Sequence, residues 1–368
     1  MKILSPLLLL CIFFPAFANT FAQGKRPTSR PVAPAAQTYA EKLGWNKGDR
    51  VVILHIDDAG MSYDSNLGTI RALEDGIANS VSVMMPCPWV PAFVHYLKEH
   101  PAVDAGLHLT LTSEWRDYRW GPLVGKPAAP GLVDPEGALW PAVGQVVENA
   151  SPDEVEKEIR AQLERARAMG FEPTHLDSHM GTLFATPEFM ERYIKLGVEE
   201  KIPVMFPGGH NYFLAEQYTE EAKAQLIREG KYTEGQALPT PPVLAQTKAV
   251  GQMIWNAGLP VLDDLHNTSY GWKLPAGVTA TPENLQKMKT EKYAEALRKM
   301  KPGLTMVIMH CTHPTEVFEK ISDSGATRQG DLLAMLDPAL RETLRKEGII
   351  LTTWREVKER REKLAAGK

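Results

Sequence analysis

Short apolar runs alternate with stretches of helical spacing along most of this chain, and that alternation constrains its fold more than any other feature. Arg50 to Ile56 reads as a buried strand ending in Asp57-Asp58-Ala59-Gly60. Ser65 to Glu74 follows with Leu67, Ile70 and Leu73 at helical spacing, and Gly76 lies just past its end. Ser80 to Met85 is a second strand, Pro91 to Glu99 a helix, and Val103 to Leu111 a third strand. Ser151-Pro152-Asp153-Glu154 opens a further helix, with serine as the cap, proline in first position and a glutamate that can return to the cap. Thr174 to Leu176, Pro203 to Phe206, Pro260 to Asp263, Leu304 to Met309 and Ile349 to Thr352 read as the remaining strands. Strands and helices in this order build parallel βαβ units. About seven such units without a glycine-rich phosphate turn predict an α/β fold in one domain, a (β/α) barrel rather than a dinucleotide-binding sheet. Two insertions, Ser113 to Val147 and the polar stretch Asn211 to Thr247, read as loops on the face where barrel enzymes keep their chemistry.

Composition enters where it excludes partners. The formal net charge is -4 and the pI near 6.2, with no basic tract suited to phosphates, so nucleic acid is not an expected partner. At the N-terminus, Lys2 precedes an apolar run from Ile3 to Phe14, then Ala16-Phe17-Ala18, with Ala22 as a second cleavage point. This is the pattern of a secretory signal, and the run is shorter than the roughly 20 apolar residues a bilayer span requires. The expected organisation is a signal peptide over 1–22, a Pro- and Ala-rich flexible tether over 23–37 and a barrel domain over 38–368, exported to the periplasm or secreted, without a stable membrane span. After cleavage Cys87 and Cys311 remain, compatible with one disulfide or with two free thiols.

Three chemistry-bearing groups fall at one structural place, the C-terminal ends of strands. They are Asp57-Asp58, His108 within Gly106-Leu107-His108-Leu109-Thr110, and His179 within Thr174-His175-Leu176-Asp177-Ser178-His179. Side chains there converge on a single pocket. One carboxylate and two imidazoles, Asp58, His108 and His179, suit a single divalent ion such as magnesium or zinc, which would activate a water. Adjacent strand residues face opposite ways, so a turn at Ala59-Gly60 is expected to bring the second carboxylate to the same site. Asp57 is then the proton acceptor, or the two aspartates exchange roles. His310, at the end of the Met306 to Met309 run, is the candidate acid, with His313 as its competitor. His55, His175 and Asp177 are candidates for orienting the ligands from behind. His266 is a further candidate, while His95, His100 and His210 carry no distinguishing context. Trp115, Trp120 and Trp140 in the first insertion either stack on a sugar or pack the loop onto the body.

These residues resemble a known family. His55-Ile56-Asp57-Asp58-Ala59-Gly60-Met61-Ser62, followed by Asn66-Leu67-Gly68, is similar to the opening of the YdjC-like carbohydrate deacetylases. The His108 and His179 motifs follow in that family's order. The closing segments Gly303 to His310 and Arg328 to Glu356 resemble it too, so the likeness spans nearly all of the chain past the tether. The resemblance implies a distorted TIM-like barrel, with a divalent metal on Asp58, His108 and His179 and Asp57 as base. It also implies a substrate among chitooligosaccharides or the N-acetylglucosaminyl lipids of hopanoid-associated relatives. Ala59 stands where the family has an aromatic, and Met306 where it commonly has a glutamate. The expected function is therefore metal-dependent removal of N-acetyl groups from an amino sugar. The alternatives are a hydrolase of another amide or ester and a non-catalytic carbohydrate-binding barrel. A glycosidase on paired carboxylates fits less well, because the pair travels with two histidines.

Overall fold

The computed structural model describes residues 37–238 and 243–366. The proposed signal peptide and all of the tether but Gln37 lie outside the described residues. Among the described residues, no helix is long and apolar enough to cross a membrane.

Among the described residues, seven parallel strands form one sheet: β1 Arg50–Ala59, β2 Ser80–Val83, β3 Ala105–Leu109, β4 Leu176–Ser178, β5 Asp264–His266, β6 Gly303–Met309 and β7 Ile350–Leu351. The order is β4-β3-β2-β1-β6-β5, with β7 beside the start of β1. The sheet curls until its outer strands approach, and the segment 203–207 spans the gap through single parallel bridges, Leu176 to Val204 and Pro207 to Leu262. The barrel expectation is met in this distorted form.

Alternation along each strand sorts side chains between two cores. Val52, Leu54 and Ile56 of β1 pack with Val81, Val83, Leu107, Leu109 and Leu176 beneath the surrounding helices. Val51 and Ile53 face inward with Leu304, Met306 and Ile308. Ala40, Leu43, Trp45, Trp354 and Val357 join that inner cluster at the N-terminal ends of the strands. Two aspartates anchor this plug. Asp263 accepts hydrogen bonds from the Tyr39, Ala40 and Leu304 amides at 2.8, 3.0 and 2.8 Å. Asp104 accepts from the Trp354 and Arg355 amides at 3.0 and 2.9 Å. Continuing the inward parity of β1 past Ile53 leads to His55 and Asp57, so the interior turns from apolar to polar toward the C-terminal ends. Gly106 makes room there, since a Cβ on it would lie 2.5 Å from the His175 ring.

The cap at Ser151 is as expected, with both halves of the capping box on the helix Pro152–Ala168. Other expectations need correction. The insertion expected over 211–247 as a loop is in part helical, because Tyr212–Arg228 is a helix and Val243–Asn256 another. β4 begins at Leu176 rather than ending there, which puts Asp177 inside the strand. The strand expected over 260–263 is displaced to Asp264–His266. Cys87 and Cys311 are free, buried thiols, so the bridge compatible with the sequence is not formed.

Candidate metal centre

β1 does not stop before the aspartates but runs through them to Ala59. A register shift against β2 falls between Ile56 and Ala59, and Asp58 sits at φ 69°. A non-glycine residue in that left-handed region is uncommon and costs about 1–3 kcal/mol. The consequence is specific. Asp57 faces inward by strand parity, and the reversal at Asp58 turns the neighbouring carboxylate to the same side. The expected device, a turn at Ala59-Gly60, is therefore replaced by a bulge one residue earlier. Asn66 then fastens the strand end by accepting from the Gly60 amide at 2.7 Å. Gly68 lets its helix approach, since a Cβ there would lie 2.5 Å from the Thr312 Cα.

Asp58 Oδ1 lies 3.3 Å from His108 Nε2 and 3.3 Å from His179 Nδ1. All three side chains are buried, yet Asp58 Oδ1 makes no hydrogen bond. One ligand atom from each falls within 4.8 Å of the others. An orphaned carboxylate oxygen facing two imidazole nitrogens fits a divalent cation of borderline softness. The other two metal-compatible groupings share Asp177, whose Oδ1 is already committed to His108 Nδ1 at 2.7 Å.

The far nitrogen of each imidazole meets a carboxylate. His108 uses Asp177, and His179 Nε2 lies 3.1 Å from Glu114 Oε2. Such partners fix the tautomer that leaves the near nitrogen free to ligate. Asp177→Asn and Glu114→Gln are each expected to lower cation affinity by about 10- to 100-fold with little change in folding, measured by titration of the metal-free protein. Parent-like affinity in both would remove this orienting role.

Arg328 Nη1 contacts Asp58 Oδ2 at 2.7 Å, its guanidinium 5.3 Å from the Tyr270 ring centre and 5.8 Å from that of Trp115. Burial alone would raise the Asp58 carboxyl, but Arg328 and the two imidazoles outweigh it and hold Asp58 well below the usual carboxylate range. Burial also opposes charge on His179, yet Glu114 and Asp58 carry it up to about 9. Asp57 and Asp177 likewise carry His108 well above its ordinary value, against burial. Both shifts favour the protonated imidazoles, whose protons a cation at this site would have to displace, so its affinity would fall on acidification.

Asp57 lies beside this trio, its Oδ2 3.8 Å from His108 Nε2 and its Oδ1 3.2 Å from His55 Nε2. His310 Nε2 stands 3.9 Å from Asp57 Oδ2 and 4.0 Å from Asp58 Oδ2. Burial lowers His310 below its ordinary value, and the Asp58 and Asp57 charges only partly offset this. His313 is directed elsewhere, its Nδ1 3.3 Å from Arg71 Nη1. His55 sits between Ser80 and Ser82 and 3.0 Å from Asp177 Oδ2, and the Asp177 and Asp57 carboxylates overcome burial to bring it up to about 9. His175 reaches no ligand. It bonds Thr174, stacks on Trp354, and burial takes it down to about 4. His266 packs against Phe213 and Trp272 instead of joining the cluster. Trp120 ties the loop to the end of the β3 segment through the Thr112 carbonyl, and Trp140 braces the loop internally on the Gly131 carbonyl, leaving Trp115 beside the site. Glu114 and Arg328 are the site residues that sequence reasoning missed.

Comparisons with known proteins agree with this architecture. The chain is 28% identical over 319 residues to a carbohydrate deacetylase of Thermus thermophilus, an alignment covering 87% of this chain and 97% of that one. It is 34% identical over 159 residues to a carbohydrate deacetylase of Brevibacillus brevis, covering 42% of this chain and 59% of the relative. A chitooligosaccharide deacetylase of Yersinia enterocolitica is 32% identical over 136 residues, 36% of this chain and 49% of that protein. Matches to the Brevibacillus and Yersinia relatives thus span about half of their length. Among solved structures, a candidate cellobiose-phosphate cleavage protein of Enterococcus faecalis shares the fold, with a TM-score of 0.61, 16% identity and coverage of 83% of this chain and 98% of that one. The profile of the YdjC-like proteins matches residues 51–346, a span that contains every candidate ligand described above, and the chain belongs to that family.

Proposed function

We propose that this protein is a cation-dependent hydrolase that removes the acetyl group from an N-acetylated sugar. The observation that carries the reading is the convergence of Asp58 Oδ1, His108 Nε2 and His179 Nδ1, with Asp57 alongside. The family's carbohydrate deacetylases supply the substrate class.

Asp58, His108 and His179 would hold a divalent cation, which would supply Lewis acidity toward the acetyl carbonyl and a water. Asp57, on the same side of β1, accepts the proton of the water that attacks the carbonyl carbon. His310 faces both carboxylates across the pocket and is placed to protonate the leaving nitrogen as the carbon–nitrogen bond breaks. Its lowered proton affinity makes it a ready donor once charged. Acetate and the free amine are the products. The apolar run Ile3 to Phe14 supports action outside the cytoplasm.

The test is acetate release from N-acetylglucosamine oligomers. Activity is expected to disappear with a chelator, return with added cation, and decline as pH falls below about 9, where protons on His179 and His108 compete for the site. Release from O-acetyl esters but from no N-acetylated sugar would replace this reading with the esterase one.

A further inference from the structure

Exposed aromatic side chains are unevenly placed on this protein. Among the described residues the three most exposed are Tyr63 at 51%, Trp89 at 42% and Tyr270 at 37%. All three leave the C-terminal ends of strands, Tyr63 after β1, Trp89 after β2 and Tyr270 after β5. This is the face that carries Asp57, Asp58 and His310. In the sheet, β2 and β5 flank the adjacent pair β1 and β6, so aromatics stand on both sides of the candidate catalytic groups.

Tyr270 is the nearer, its ring centre 5.1 Å from that of His310 and tilted edge-on. Tyr63 and Trp89 form a separate pair, with ring centres 5.3 Å apart at 56°. Their footing is rigid. The Trp89 amide donates to the Gly60 carbonyl at 3.1 Å, and Asn66 Nδ2 donates to the Trp89 carbonyl at 3.0 Å. The same Asn66 accepts from the Gly60 amide, so one side chain locks the loop after β2 to the strand end carrying Asp58. Two large rings held in water on a fixed base lose little entropy on meeting a ligand, and a clustered exposed apolar patch marks a recognition surface.

We infer that Tyr63 and Trp89 form a stacking platform for a second sugar ring, next to the N-acetylated ring seated between the candidate metal ligands and Tyr270. This rests on the deacetylase reading. The apolar C–H face of a pyranose is the chemistry such rings accept, and their place beside β1 selects a chain extending past β2. The platform makes the protein specific for oligosaccharides over single sugars.

The experiment compares kcat/KM for the N-acetylglucosamine trimer with that for the monosaccharide, in parent, Trp89→Ala, Tyr63→Ala and Trp89→Phe. The trimer-to-monosaccharide ratio is expected to fall about tenfold in Trp89→Ala, the size of one to two aromatic contacts, and to recover in Trp89→Phe. Ile227→Ser, which removes an exposed aliphatic far along the chain, serves as control for the ratio. Calorimetric titration of the chelator-treated protein with the trimer gives a second reading that needs no turnover, and Trp89→Ala is expected to weaken it by a similar factor. An unchanged ratio and unchanged trimer binding in both alanine variants overturn the platform. Absence of acetate release by the parent from any N-acetylated sugar overturns the deacetylase reading instead, and the trimer titration then still decides whether the rings bind glycan.

Discussion

Asp58→Ala will purify without its cation, lose acetate release by at least about a thousandfold, and unfold about 3–5 kcal/mol more easily. Two separate consequences meet in this residue. Its Oδ1 faces the two imidazoles, so no carboxylate remains to complete the trio. Its Oδ2 is the acidic partner of buried Arg328, so truncation leaves a guanidinium enclosed without a counter-charge. Metal analysis, the activity assay and urea unfolding read the three effects separately. Removing both charges in Asp58→Leu with Arg328→Leu should recover most of the stability and none of the activity. Stoichiometric cation in Asp58→Ala would defeat the ligand assignment.

Asp57→Asn should behave differently despite being the adjacent residue. It is expected to retain the cation while turnover falls by about 10²- to 10⁴-fold, the range for loss of a general base. The carboxamide preserves shape and one acceptor toward His55, so the fold should hold. Metal content and kcat measured on the same sample decide the matter. If Asp57→Asn loses the cation and Asp58→Asn keeps it, the roles of the two aspartates are exchanged.

Much of this arrangement was legible in the residues, because barrel strands place whatever ends them around one mouth. His108 and His179 needed only that rule. Asp57 needed strand parity as well. Asp58 is different, since no propensity announces that an aspartate will adopt φ 69°, and the sequence pointed instead to a turn over Ala59-Gly60. Glu114 and Arg328 escaped because they follow their strands at a distance, in a loop and in the helix Gly325–Leu336. There a charged side chain ordinarily faces solvent, and only tertiary packing encloses it. The helix Tyr212–Arg228 was hidden for the opposite reason. Phe213 is its one buried residue, so it lacks the apolar stripe by which a helix is recognised. His310 could be told from His313 only by the partner Arg71, which approaches from another element.

The seam spanned by 203–207 sets where this barrel can yield. The candidate ligands and both candidate proton carriers ride on the unbroken run from β6 through β1 to β4, while the closure between β4 and the segment before β5 hangs on two single bridges. Breathing should therefore begin at the seam, with amide protons there exchanging well before those of β1. A ring that opens outside the paired run β1 to β4 can absorb heat or added length, such as the helices that follow the seam, while the strands carrying Asp58, His108 and His179 stay paired with one another.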